Sequence, residues 1–145
     1  MKRRDPRRLE RMLRARAFQL DRARADEIVA ADRESSAATL AARIAALSDD
    51  VRPREGNEHG VSLLAAAHYR QRLAISHEEA QRRVFAARQQ LDAAREVTGA
   101  AKRDHGVIEK LIERALDAKA ADARRALENA PHHARALARS LLKSG

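Results

Sequence analysis

The sequence has no cysteine and no tryptophan, and it has only one tyrosine and two phenylalanines among its 145 residues. Without cysteine the chain can form no disulfide and can bind no metal through thiolates. With so few aromatic side chains it lacks the bulky groups that fill the core of an ordinary globular domain of this length. The composition therefore excludes a disulfide-stabilised fold and disfavours a globular one.

Motifs that carry chemistry are also missing. No glycine-rich phosphate-binding loop exists, since the five glycines are scattered at positions 56, 60, 99, 106 and 145. The six histidines show no zinc-ligand spacing, and His77-Glu-Glu-Ala differs from the H-E-x-x-H pattern of metalloproteases. Acidic pairs such as Glu78/Glu79 are expected on a solvated helix surface. We therefore expect a protein that is not an enzyme, with no catalytic residue, metal, cofactor or small-molecule substrate.

Long hydrophobic runs are absent as well. The longest uninterrupted apolar run is Leu63 to Ala67, whereas a helix that crosses a bilayer needs about 20 apolar residues. The basic start of the sequence is not followed by the apolar segment of a signal peptide. The sequence thus predicts a cytoplasmic protein.

What the chain does contain is alanine, leucine and charge, in the proportions of long helices. In its second half, positions at alternating steps of four and three form a ladder in which 11 of 16 residues are apolar. The ladder consists of Leu73, His77, Ala80, Val84, Ala87, Leu91, Ala94, Thr98, Ala101, His105, Ile108, Ile112, Ala115, Lys119, Asp122 and Ala126. A spacing of 3.5 held over this length predicts a helix that lies along another helix.

The three prolines, at positions 6, 53 and 131, divide the chain. Because proline suits the first turn of a helix and breaks its interior, they predict a helix over about 7–51, a loop over 52–60 and a second helix over about 61–130. A short loop between two long helices gives an antiparallel hairpin. We therefore predict an all-α fold, a single coiled-coil hairpin over 1–145 with a longer second helix and a basic tail.

The details of packing follow from this hairpin. In the first helix Leu40, Ile44, Leu47 and Val51 form a seam that is out of phase with Leu13, Ala17 and Leu20, which predicts a stutter between them. If residues 51 and 61 are opposite each other, the numbers of paired residues add to about 112, so that Leu40 meets Leu73.

The second helix is then expected to outrun the first from about Gly106. Beyond that point the first helix is too short to cover the second, which leaves an apolar stripe to a binding partner: Ile108, Leu111, Ile112, Ala115 and Leu116. Gly99 and Gly106 mark either close helix packing or a bending zone of the second helix.

Charge is distributed unevenly. Residues 1–16 hold eight Lys/Arg and two acidic residues, residues 129–145 hold three Lys/Arg and no acid, and residues 17–128 hold 19 of each sign. A basic helix start opposes the helix dipole, so stability alone does not explain it, and a role in binding an acidic partner is an equal alternative. No aromatic residues are interleaved with these arginines for base stacking, which makes nucleic acid a less favoured partner.

Several segments together suggest a family. The chain begins Met-Lys-Arg-Arg within a basic first helix and continues through a Pro/Gly-containing loop to Tyr69-x-x-x-Leu73. A long Arg/Gln/Glu-rich helix follows, with the segments Gln81-Arg-Arg, Arg88-Gln-Gln-Leu91 and Ile108-Glu-Lys-Leu-Ile-Glu-Arg114. Over nearly its whole length the chain resembles the flagellar export protein FliJ, a stalk-like coiled coil of the type III export apparatus.

The resemblance implies a non-enzymatic protein that couples the export ATPase to the export gate. Its implied partners are the hexameric export ATPase, the membrane protein of the export gate and export chaperones, with peripheral association at the inner-membrane export complex. It implies ATPase contacts by the basic arm and the second helix, at Arg7, Arg8, Arg11, Arg14, Ile108, Leu111 and Ile112. It implies gate contacts at Leu47, Val51, Tyr69 and Leu73.

Two alternatives remain open at the level of sequence. A basic coiled coil could bind nucleic acid or an anionic membrane through its N-terminal arm. A structural coiled coil could instead self-associate through its second helix.

Overall fold

In the computed structural model the chain forms two helices, described over residues 5–51 and 60–144, without the side chains of 60, 61 and 133. Helix α1 spans Pro6–Asp50 and helix α2 spans Gly60–Lys143. The described residues contain no strand, and the two helices pack against each other. The predicted all-α pair with a longer second helix is confirmed, whereas the predicted loop lies outside the described residues except at Gly60.

Helix α1 begins with a capped first turn. The backbone N–H of Arg7 donates a hydrogen bond to Asp5 Oδ1 at 3.1 Å. Pro6 follows Asp5 as the first helical residue. A backbone N–H at this position would have no acceptor within the helix, so the lack of one in proline costs no hydrogen bond. Asp5 is thus the N-cap, which fixes the helix start within one residue of the prediction.

Helix α2 does not end before Pro131, and the predicted end near residue 130 is wrong. The helix runs through Pro131 and on to Lys143. Proline removes one hydrogen bond and clashes with the preceding turn, at a cost of about 3 kcal/mol. The alanines, leucines and arginines on either side favour the helix strongly enough to continue it in both directions.

The predicted ladder of α2 is confirmed as its packing seam. Every rung from Leu73 to Ala115 is buried or half-buried. Leu73, Ala80 and Val84 are exposed by 9%, 3% and 6%, respectively, whereas the later rungs Lys119 and Ala126 are exposed. The 3.5-residue period therefore identified the buried face of this helix correctly.

In α1 the structure corrects the predicted seam. Buried and half-buried positions alternate by four and three without interruption at Leu9, Leu13, Arg16, Leu20, Ala23, Glu27, Ala30, Glu34, Ala37, Ala41, Ile44 and Ser48. The predicted stutter is wrong, because alanines and charged residues occupy the middle rungs, where large apolar residues were sought. Leu40 and Leu47 lie off this seam and are exposed by 42% and 46%.

The contacts of the chain fall into two compact units, and the first consists of Gln19–Ala101. Thr98 Oγ1 donates to the carbonyl oxygen of Ala23 at 3.3 Å, which pairs residue 23 with 98. Ion pairs join Glu34 to Arg88 at 3.1 Å and Glu27 to Arg95 at 3.9 Å. The paired numbers add to 121 or 122, which establishes an antiparallel arrangement and shows that the predicted register of 112 is wrong.

The shifted register changes which residues meet. Ala41, Ala80 and Val84 form a buried cluster, with Ala37 and Ile44 packed against it. In this register Asp50, the last residue of α1, is opposite residue 71 or 72 of α2. The turns of α2 before that point are therefore opposite no residue of α1. The predicted register was wrong because it assumed that residues 51 and 61 are opposite each other.

The second unit contains the described residues 5–18 and 102–144. Within it Arg16 Nη1 is 3.2 Å from Asp104 Oδ2. Leu9 and Ile108 are exposed by only 4% and 6%. The expectation that α1 leaves Ile108 uncovered is therefore wrong, since the register of this unit brings the described part of α1 to about residue 115 of α2.

Gly106 is not required by close packing. A Cβ atom added there would meet no atom within 4 Å, apart from neighbouring residues and the helix's own backbone. Since α2 is helical throughout this region, the glycine weakens the helix without a steric need.

We predict that Gly106→Ala raises the free energy of unfolding by up to about 1 kcal/mol, because alanine has the higher helix propensity. Urea denaturation followed by far-UV circular dichroism measures this effect. A loss of stability would contradict the open space found around residue 106.

A matched pair of alanines tests the seam of α1. Ala41 is 5% exposed whereas its neighbour Ala42 is exposed. We predict that Ala41→Glu lowers the free energy of unfolding by about 2 kcal/mol or more, because a carboxylate would be buried without a partner. The control Ala42→Glu should change it by less than about 0.5 kcal/mol. Equal effects in the same denaturation assay would contradict the seam assignment.

Candidate protein-binding surfaces

The start of α1 presents an exposed basic surface. The four arginines predicted to bind an ATPase are all exposed in its first turns: Arg7, Arg8, Arg11 and Arg14. The first turn contains no acidic residue to balance them, because the cap Asp5 precedes it. Positive charge at this end of a helix opposes the macrodipole and so does not stabilise the helix itself. The arrangement is better explained by binding to an acidic partner.

An apolar groove lies next to this basic surface, where α1 begins along α2. It has a volume of about 550 Å³ and is lined by Pro6, Leu9, Leu111, Arg114, Ala115, Ala118, Lys119 and Asp122. Five of these eight residues are apolar, and two cations and one carboxylate complete the lining. The groove therefore combines an apolar contact area with positive charge, which is suited to an amphipathic segment of another protein.

The structure separates the three apolar residues that were predicted to bind alongside the arginines. Leu111 lines the groove and Ile112 is half-buried. Ile108 is 6% exposed, so it packs inside the unit and offers almost no surface to a partner. Leu111 keeps the predicted role as a candidate, while Ile108 is better explained as a packing residue.

The residues predicted to face an export gate are also divided. Leu47 and Tyr69 are exposed by 46% and 47%, and Val51 is half-buried. Leu73 is only 9% exposed and belongs to the seam. Leu63 and Leu64, in the first turns of α2, are exposed by 43% and 74% and add apolar surface that the prediction did not include.

The sequence prediction included Leu116 in its apolar stripe but missed the apolar residues that follow it in the last third of α2. Four leucines there are exposed by 57% to 73%: Leu116, Leu127, Leu137 and Leu141. The predicted ladder followed a different phase and ended at Ala126. Moving the count by one residue at Leu116 would have revealed them, because the same alternation of four and three continues from that position.

Two histidines of α2 form contacts with residues one turn further along the helix. His77 Nε2 is 3.4 Å from Gln81 Nε2, and His105 Nδ1 is 3.6 Å from Glu109 Oε2. Within residues 5–51 and 60–144, no group of three or more His, Asp or Glu is placed to hold a metal ion. In the same ranges, no helix is long and apolar enough to cross a membrane.

Comparison of the chain with family models, with curated proteins and with solved structures gave no match.

We predict that Arg7→Ala/Arg8→Ala leaves the melting temperature unchanged or raises it slightly, because removing positive charge from a helix N-terminus relieves an unfavourable interaction with the dipole. Asp5→Ala should lower it, because the cap is lost. Thermal unfolding by circular dichroism compares the two variants. A clear drop for the arginine variant would mean that these arginines serve stability.

Proposed function

We propose that this protein is a non-enzymatic helical component of a type III flagellar export apparatus, which couples the export ATPase to the export gate. Its resemblance to the FliJ family motivates the proposal, and the antiparallel pair of long helices is consistent with it. In this role the protein binds the hexameric ATPase, the gate membrane protein and export chaperones, with peripheral association at the membrane complex.

The observation that supports the ATPase contact most directly is the exposed basic start of α1 beside an apolar groove. Arg7 and Arg8 follow Pro6 in the first turn, and Pro6 and Leu9 line the groove. An acidic surface with an apolar protrusion would complement both features. The contact therefore comprises Arg7, Arg8, Arg11 and Arg14 together with Leu111, and Ile108 is left out.

The gate contact is proposed for the opposite terminus of α1, in the unit of residues 19–101. Leu47 and Tyr69 are its exposed candidates. Leu63 and Leu64 add exposed apolar surface on α2. Leu73 is omitted because its side chain is committed to the seam.

We predict that the variant Arg7/Arg8/Arg11/Arg14→Ala binds the purified export ATPase of the source bacterium at least about tenfold more weakly than the wild type. A matched control removes the same charge from exposed positions elsewhere, Arg22/Arg33/Arg43/Arg72→Ala. Isothermal titration calorimetry with the assembled ATPase measures both. The control should bind like the wild type, and equal weakening of the two variants would show that only net charge matters.

The exposed arginines also favour one competing function, the binding of phosphates in nucleic acid. Titration with duplex DNA at increasing salt discriminates between the two functions, because a phosphate binder loses affinity steeply as salt rises. Tight, salt-sensitive DNA binding that depends on the four arginines, without ATPase binding, would replace the export function by this alternative.

A further inference from the structure

From Leu116 onward, α2 carries a second apolar ladder, one residue out of phase with its packing seam. We define this terminal ladder by the positions that alternate by four and three from Leu116: Leu116, Ala120, Ala123, Leu127, Ala130, Ala134, Leu137 and Leu141. All of its side chains are apolar and all are exposed. A 3.5-residue repeat kept without a polar rung is the pattern of a helix that lies along another helix.

We infer that the terminal ladder is the site at which a second copy of this chain binds, in antiparallel orientation. The inference does not depend on the proposed role in export. It concerns only the part of α2 that extends past the described start of α1.

The ladder is complementary to itself when two copies run in opposite directions. In a register where paired numbers add to 257, Ala120 meets the partner's Leu137 and Leu127 meets the partner's Ala130. Ala123 then meets the partner's Ala134, and the outer leucines meet each other. Every rung thus meets another rung, and two of the four alanines are opposite a leucine that fills the space they leave. The buried cluster of Ala41, Ala80 and Val84 shows that this chain already packs helices with such small residues.

Charges at the edges of the ladder favour the antiparallel over the parallel orientation. Lys119 lies just before the rung Ala120, and Arg124 lies just after the rung Ala123. In a parallel pair, Lys119 of each copy would lie next to Arg124 of the other copy. In the antiparallel pair, a residue just before a rung neighbours the partner's residue just before a rung, and likewise for residues just after a rung. Lys119 then neighbours the partner's Ser140 and Arg124 neighbours the partner's Pro131, both uncharged. The parallel arrangement therefore incurs like-charge repulsion that the antiparallel one avoids.

The difference in charge between the two halves of the ladder also favours the antiparallel orientation. Residues 116–128 contain three basic and three acidic side chains, whereas residues 129–144 contain Arg135, Arg139 and Lys143 and no acid. A parallel pair would place the two basic halves side by side. The antiparallel pair places each basic half beside a neutral half, which lowers the repulsion.

The full-length chain allows a matched test, because Leu142 is 83% exposed but lies off the ladder next to Leu141. We expect sedimentation equilibrium to show a monomer and a dimer of twice the chain mass in concentration-dependent exchange. Leu141→Glu should weaken dimerisation at least about tenfold, because a carboxylate would be buried at the interface. Leu142→Glu should leave dimerisation unchanged.

Two outcomes would overturn the inference. A wild-type chain that stays monomeric up to about millimolar concentration would leave the ladder to a partner of different sequence. Equal weakening by Leu141→Glu and Leu142→Glu would place the interface elsewhere. Circular dichroism of both variants confirms that each keeps its helices.

Cross-linking tests the orientation independently, because the chain has no cysteine of its own. When Ala123→Cys and Ala134→Cys chains are mixed and oxidised, the antiparallel pair predicts disulfides between the two different variants. A parallel pair predicts disulfides within each variant, since identical positions would then be opposite each other. Predominant cross-linking within each variant would overturn the antiparallel arrangement.

Discussion

The structure depends on the close approach of two helices along a seam in which alanine is the commonest residue. Of the buried apolar residues, Ala23, Ala30, Ala41, Ala80 and Ala87 contribute only a methyl group each, and none of the described side chains is less than 2% exposed. Burial of apolar surface stabilises in proportion to area, so each such contact contributes little. The helices are held together by a long series of small contributions, which a strict repeat supplies.

Polar residues in this seam set the alignment of α1 along α2. Glu27 and Glu34 occupy seam positions of α1 and pair with Arg95 and Arg88 across it. Ion pairs of this kind contribute up to about 1 kcal/mol each to stability. Because alanine layers can slide past one another at small cost, these pairs and the hydrogen bond from Thr98 to Ala23 distinguish one alignment from others.

The same register decides which surfaces remain for other proteins. In the unit of residues 19–101, α1 ends opposite residue 71 or 72 of α2, and Leu63, Leu64 and Tyr69, which precede that point, are exposed. In the unit with the start of α1, Ile108 is covered and Leu111 lines the groove. The candidate binding sites are therefore found where packing between the helices ends.

The sequence by itself determined the all-α fold, the start of α1 to within one residue and the buried face of α2 from Leu73 to Ala115, because proline chemistry and the 3.5-residue period are local. It also indicated the exposed arginines of the first turns. Only the tertiary structure decided the register, how far α1 reaches along α2 to cover Ile108, and the exposure of Leu40 and Leu47. These depend on how two helices align, and a period that repeats every seven residues is satisfied by several alignments.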